Sequence, residues 1–134
     1  MCATYYARTS DHGYETCAEH LAMAGCLAGG FAKGFGYLDD GLLAGLVHDL
    51  GKYSDAFQRR IRNPDHCGPV DHSTAGALLL MRHVCPLAAM AVAGHHAGLP
   101  DLGSYGELEG STFMSRMNRA RRAGDCMGLD PRSR

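Results

Sequence analysis

The dipeptide His48-Asp49 sets a neutral imidazole beside a carboxylate, two ready ligands for a divalent metal ion, with Lys52 close behind. It lies within the run Gly45-Leu46-Val47-His48-Asp49-Leu50-Gly51-Lys52. Adjacent helical residues project about 100° apart, so the pair can address one ion or straddle two. A His-Asp pair alone carries little information. Its weight comes from the further histidines at Glu19-His20, Asp71-His72 and His95-His96, each in or beside a segment with helical spacing. His66 lies in a stretch rich in proline and glycine and reads as a loop residue. His83 reads as a helix-terminal charge or a surface group.

These residues need helices to position them. Residues 14 to 33 form the first expected helix, with His20, Ala24, Leu27 and Phe31 on one inward stripe and Gly34 and Gly36 ending it. A lone histidine on such a stripe is also explained by a bond to a backbone carbonyl. Asp39 or Asp40 is expected to cap the second helix. There, Leu42, Leu43, Leu46, Val47 and Leu50 give the spacing of a buried face and Gly51 marks the stop. Ser54 caps a short helix with Phe57 and Ile61 inward, and residues 63 to 70 form a loop. Asp71 caps a helix to about residue 83, with Ala75, Leu78, Leu79 and Arg82 spaced along it, and Cys85-Pro86 breaks it. A further helix from 87 to 97 ends in His95-His96, before Gly98. After a loop from 99 to 110, residues 111 to 122 form a last helix with Phe113, Met114 and Met117 as its apolar face. Residues 1 to 13 show no period and read as a lead-in. With no strand alternation or repeat, the fold is expected to be all-α.

Composition bounds the function. The 134 residues, 46% hydrophobic, suffice for one core, expected over residues 14 to 123 with a tail from 124 to 134. A net charge of -1 and a pI near 6.7 give no global attraction to nucleic acid, so any such binding needs a local patch. From Ser111 onward, Arg116, Arg119, Arg121, Arg122, Arg132 and Arg134 face only Asp125 and Asp130, which reads as such a patch or as a solvated helix face. The six cysteines are irregularly spaced without a Cys-x-x-Cys pair, against a zinc knuckle, and Cys17 and Cys26 read as small hydrophobes. Without a signal peptide or an apolar run near ~18 residues, the expectation is a cytoplasmic chain with reduced thiols and no membrane contact.

The ordered set Glu19-His20, Gly45 to Lys52, Phe57-Gln58, Asp71-His72-Ser73-Thr74-Ala75-Gly76-Ala77 and Gly94-His95-His96-Ala97-Gly98-Leu99-Pro100-Asp101 closely resembles the HD nuclease domain of the CRISPR-associated type I helicase-nuclease. The resemblance covers about residues 15 to 120. It implies an HD-domain helical bundle with a metal site between helices, cutting single-stranded DNA as an endonuclease or exonuclease in antiviral defence. A fused or separate helicase and the crRNA-guided surveillance complex would be its partners. It further implies that His20, His48 and Asp49 hold one metal while Asp49, His72, His95 and His96 hold the other, with Asp49 bridging. Lys52 would contact a phosphate of the strand, against the simpler reading of a solvated lysine after a helix end. Ser73 would cap its helix or steady His72. Metal ions would polarise the phosphoryl oxygen and supply hydroxide, and histidine-rich ligation favours Mn, Fe, Co, Ni or Zn over Mg.

The family pattern continues to a later aspartate, on a motif resembling Asp-Ala-Asp, that completes the first metal's shell. Neither Asp125 nor Asp130 stands in a matching context. The expectation is a C-terminally truncated or diverged chain, with one ion held less tightly and Phe113, Met114 and Met117 left uncovered. Two other classes share His48-Asp49: an HD-type nucleotide phosphohydrolase, and a non-catalytic module that docks a helicase. Cleavage of oligonucleotides rather than free nucleotides separates the first, and absence of metal uptake marks the second. No Gly-x-x-x-x-Gly-Lys phosphate loop occurs in the chain.

Overall fold

Thr16 carries a capping box that starts the first helix. Its hydroxyl accepts from the Glu19 amide at 3.2 Å, and the Glu19 carboxylate accepts from the Thr16 amide at 3.2 Å. In the computed structural model, which describes residues 4–126 apart from His12 and Val84, the elements are β1 (Tyr6–Ser10), β2 (Gly13–Thr16), α1 (Cys17–Lys33), α2 (Leu38–Val47), α3 (Asp55–Arg62), α4 (Thr74–Arg82), α5 (Pro86–Gly94) and α6 (Phe113–Cys126). Short 3-10 turns at Leu50–Tyr53 and Pro64–His66 flank α3. The fold is mostly helical but not purely α. The expected lead-in and the first three residues of the expected first helix form an antiparallel hairpin, pairing Thr9 with Tyr14 and Ser10 with Gly13, so the helix starts at Cys17 rather than residue 14. The hairpin's register shifts between Tyr6 and Arg8, which breaks the alternation that a sequence pattern needs. Gln58 of α3 fastens it. The side-chain oxygen accepts from the Tyr6 amide at 3.1 Å, and the amide nitrogen donates to Tyr6 O at 2.9 Å and Lys52 O at 2.8 Å.

α1 and α2 form an antiparallel pair whose seam is made of small residues. A Cβ on Gly25 would lie 2.8 Å from Leu46 Cγ, and one on Gly41 would lie 2.6 Å from Ala28 O. This close approach corrects the expected inward faces. In α1 the buried residues are Cys17, Leu21, Gly25 and Gly29, while Leu27 and Phe31 are 59% and 76% exposed. In α2 only Gly45 is fully buried, Leu43 is exposed, and Leu46 lies over Gly25 with 37% of its surface still open. Cys26 is exposed rather than packed, and Cys17, Cys26, Cys67 and Cys85 are free thiols.

α4 and α5 carry the core. Ala77, Leu80, Ala88, Ala89, Val92 and Ala93 pack with Phe113 and Met117 of α6, and Ala44 and Val47 of α2 lean on the cluster. The inward residues of α4 are thus Gly76, Ala77 and Leu80, one position off the expected row. Phe113 and Met117 are each 1% exposed, so the expected uncovered patch does not exist at these residues. α6 is covered because it folds back onto α4 and α5. Its amides at Phe113 and Met114 donate to Asp101 O and Leu102 O, which fixes the start of the return. α6 also runs to Cys126, past the expected end near residue 122.

Helix starts follow local chemistry with two changes. Ser54 caps α3 as expected, accepting from the Phe57 amide at 3.2 Å. Tyr37, not Asp39 or Asp40, stands at the start of α2, and both aspartates lie in its first turn, where they favour the helix dipole. Asp71 precedes α4 by two residues more than expected, yet its Oδ1 still accepts from the Ser73 and Thr74 amides at 3.1 Å. α5 begins on Pro86 and ends at Gly94, leaving His95 and His96 in the turn beyond it. No helix among the described residues is long and apolar enough to cross a membrane.

Candidate metal centre

Asp49 is the hub, 3% exposed, at the point where α2 gives way to the 3-10 turn. Four segments aim at it. His20 comes from the first turn of α1, His48 from the end of α2, His72 from the residue pair before α4, and His95 with His96 from the turn after α5. The Gly51 amide donates to His72 O at 3.0 Å, so the Asp49 turn and the His72 segment are joined through the backbone. A Cβ at Gly51 would lie 2.5 Å from His72 Cα, and this approach therefore requires glycine.

The carboxylate divides the histidines between its two oxygens. Oδ2 lies 3.0 Å from His20 Nε2, 3.1 Å from His48 Nε2 and 2.8 Å from Lys52 Nζ. Oδ1 lies 3.4 Å from His72 Nε2 and 3.3 Å from His95 Nε2, and it is buried without a hydrogen-bond partner. His96 joins that side through His72, Nε2 to Nε2, at 2.7 Å. Asp49, His72, His95 and His96 each bring a ligand atom within 4.8 Å of the others, and His20, His48 and Asp49 do the same.

The outer ring nitrogens explain why the inner ones point inward. His48 Nδ1 lies 2.8 Å from Gly45 O, His72 Nδ1 3.0 Å from Val70 O and His95 Nδ1 2.7 Å from Val92 O. Each backbone carbonyl can take an Nδ1–H, which fixes the ring and turns Nε2 toward Asp49. His20 turns its Nδ1 to a carboxylate, Glu15 Oε2 at 3.4 Å, which also pairs with Arg8. Burial alone would raise the Asp49 carboxyl, but the hydrogen bonds from His48 and Lys52 outweigh it and hold the group far below the usual carboxylate range. The same contact with Asp49 raises His48 against its own burial, whereas burial and the neighbouring His95 and His72 lower His96.

No family model, curated protein or solved structure matches this chain. Its chemistry therefore rests on its own geometry. Five imidazoles and one buried carboxylate with an orphaned oxygen form a donor set that can hold a divalent transition metal, and the residues fit that role.

All six ligand candidates of the sequence converge, from segments far apart in the chain. Lys52 is not the solvated lysine of the simpler reading. Its side chain is only 12% exposed, paired with Asp49 and lying 5.5 Å above the Phe57 ring. His66 and His83 lie exposed and take no part in either ligand group. Glu15, Gln58 and Arg116 support the centre and were not singled out as site residues from the sequence. Glu15 sits on the unrecognised hairpin, and Arg116 was hidden in the arginine run. Arg116 and Arg119 are spent on internal bonds, to Ala93 O and to Leu108 O and Gly110 O. Arg121 and Arg122 are exposed, while Asp130, Arg132 and Arg134 lie outside the described residues.

Proposed function

We propose that the chain is an HD-type nuclease domain that hydrolyses phosphodiester bonds of single-stranded DNA in type I CRISPR interference. The observation that carries this reading is the division of Asp49, with one oxygen toward His20 and His48 and the other toward His72 and His95. A single bridging carboxylate between two ligand groups is the arrangement expected of a two-ion phosphoryl-transfer site. When bound, Mn, Fe, Co, Ni or Zn would polarise the phosphoryl oxygen and lower the pKa of water there. His48, His72 and His95 are held by backbone carbonyls in the ligating orientation before any ion arrives. Lys52 places a positive charge beside Asp49, where it can attract a phosphate of the strand. A helicase that delivers single strands and the crRNA-guided surveillance complex belong to this reading as partners.

A second reading is an HD-type nucleotide phosphohydrolase. It is favoured by a cleft of about 250 Å³ that opens on His48 and His95 and is otherwise lined by Ala24, Ala28, Ala44, Gly45, Ala91 and Val92. An apolar wall without a cation suits a flat base better than a phosphate backbone. Elemental analysis of the purified chain, then matched assays on a single-stranded oligonucleotide and on free nucleotides with Mn or Ni, separate the two. Cleavage of the oligonucleotide is expected. Phosphate release from nucleotides alone would replace the first reading by the second, and a chain that takes up no metal would leave only a docking module.

A further inference from the structure

We infer that Arg116 is a positioning residue for one half of the centre, the half formed by Asp49, His72, His95 and His96. The inference rests on the metal reading above. Arg116 sits on α6, with a side chain 22% exposed, and contacts no ligand itself. Its guanidinium instead holds the two backbone segments that carry three of the four ligands. Nη1 donates to Ala93 O at 2.7 Å, in the last turn of α5 and two residues before His95. Nη2 donates to Ser73 Oγ at 2.9 Å and Thr74 Oγ1 at 2.8 Å, the residues that follow His72.

The chemistry of these contacts suits the task. The carbonyls of a helix's last turn lack intrahelical partners, and a cation there answers both the open acceptor and the helix dipole. Ser73 is 7% exposed, and its hydroxyl is shared between Arg116 and Asp71. Asp71 Oδ2 lies 3.6 Å from Arg116 Nη2 and balances its charge. The planar fork of arginine makes these bonds from one rigid group, which a lysine's single ammonium does not reproduce. One side chain thus sets the spacing between the start of α4 and the end of α5, and so between His72 and the His95-His96 pair. Among the described residues, the supports of the His20 and His48 side are Glu15 and Gly45 O rather than α6.

Co(II) titration of the full chain tests this, with uptake read by visible absorption bands and fold by circular dichroism. Arg116→Met is expected to weaken one of two cobalt sites by about 10- to 100-fold and to alter its absorption bands. In a His20→Ala background that loss should remove the remaining tight uptake, and in a His96→Ala background it should have no further effect. Arg119→Met, which removes the bonds to Leu108 O and Gly110 O on the same helix, should leave both sites intact. If Arg116→Met loses helical content, Arg116→Lys carries the test, and a weakening confined to the same half supports the role. Wild-type affinity at both sites in a folded Arg116 variant overturns it. A wild-type chain that binds no cobalt overturns the metal reading itself, and with it this one.

Discussion

His72 Nε2 and His96 Nε2 face each other at 2.7 Å. Because His72 Nδ1 is turned to Val70 O, a neutral His72 presents a lone pair, and a single proton on His96 closes the contact in the metal-free chain. That proton stands where two ligand nitrogens would otherwise share a cation. Ligation requires that proton only to move to Nδ1 of His96, so the proton that metal uptake is expected to release comes from His48, whose contact with Asp49 raises its pKa while its Nδ1 faces Gly45 O. Calorimetric titration in buffers of different ionisation enthalpy measures the release, and an enthalpy independent of buffer would show that no proton leaves.

Asp49→Ala removes the one carboxylate common to both ligand groups. Metal content should fall at both, and cleavage of single-stranded DNA should be lost, whereas Lys52→Ala should chiefly weaken strand binding. Retained cutting by the Asp49 variant would exclude the proposed chemistry.

Gly51→Ala would drive a methyl group into the backbone of His72, 2.5 Å from Cα and 2.6 Å from O. Overpacking of this kind costs about 1–3 kcal/mol, and here it also pushes a ligand segment from Asp49. The denaturation midpoint should drop and metal should bind more weakly. An unchanged midpoint with unchanged affinity would mean that the two segments are not held as tightly as described.

Gln58→Ala leaves Tyr6 N, Tyr6 O and Lys52 O without their partner, in a residue only 4% exposed. Each stranded buried group costs about 1–3 kcal/mol, less where water can enter. Urea denaturation should show the loss, and amide exchange should show it concentrated in β1. Protection of the Tyr6 amide equal to that of the parent chain would refute this role.

Glu107 governs a pH effect away from the centre. Hydrogen bonds from the Ser104 amide at 3.0 Å and the Thr112 hydroxyl at 2.9 Å hold its carboxyl below the usual 4.5. A lowered folded pKa means that its contribution is complete above the unfolded value and disappears as pH falls through the folded one. Exchange of the Ser104 amide should accelerate over that acid window in the parent chain. In Glu107→Gln the acid dependence should be absent, and its persistence there would assign it to another group.

The helices and all six converging side chains were legible because the ligands fall at helix ends, which caps, glycines and prolines mark in a sequence. The face that each helix turns inward was less legible. Leu27, Phe31 and Leu43 have the apolar spacing of a core, yet α1 and α2 meet through Gly25, Gly41 and Gly45, and these larger side chains stay outside. A hydrophobicity pattern ranks leucine above glycine and cannot register a seam that works by closeness of backbones. The hairpin was missed because only Ala7 of β1 is buried, so its strands lack an apolar alternation. Arg116 was hidden for a related reason, since it resembles its neighbours on α6 until its partners on α4 and α5 are seen.

The ligands' order along the chain also sets a timetable for their assembly during synthesis. A growing polypeptide completes its N-terminal segments first. His20, His48 and Asp49 are all in the chain two residues after the end of α2, and the α1–α2 pair that presents them needs no later residue for its glycine seam. His72 follows with the approach to α4, His95 and His96 after α5, and the Arg116 tie only with α6. An ion caught early on the nascent chain would thus meet three ligands and one free carboxylate oxygen, which the later histidines then enclose.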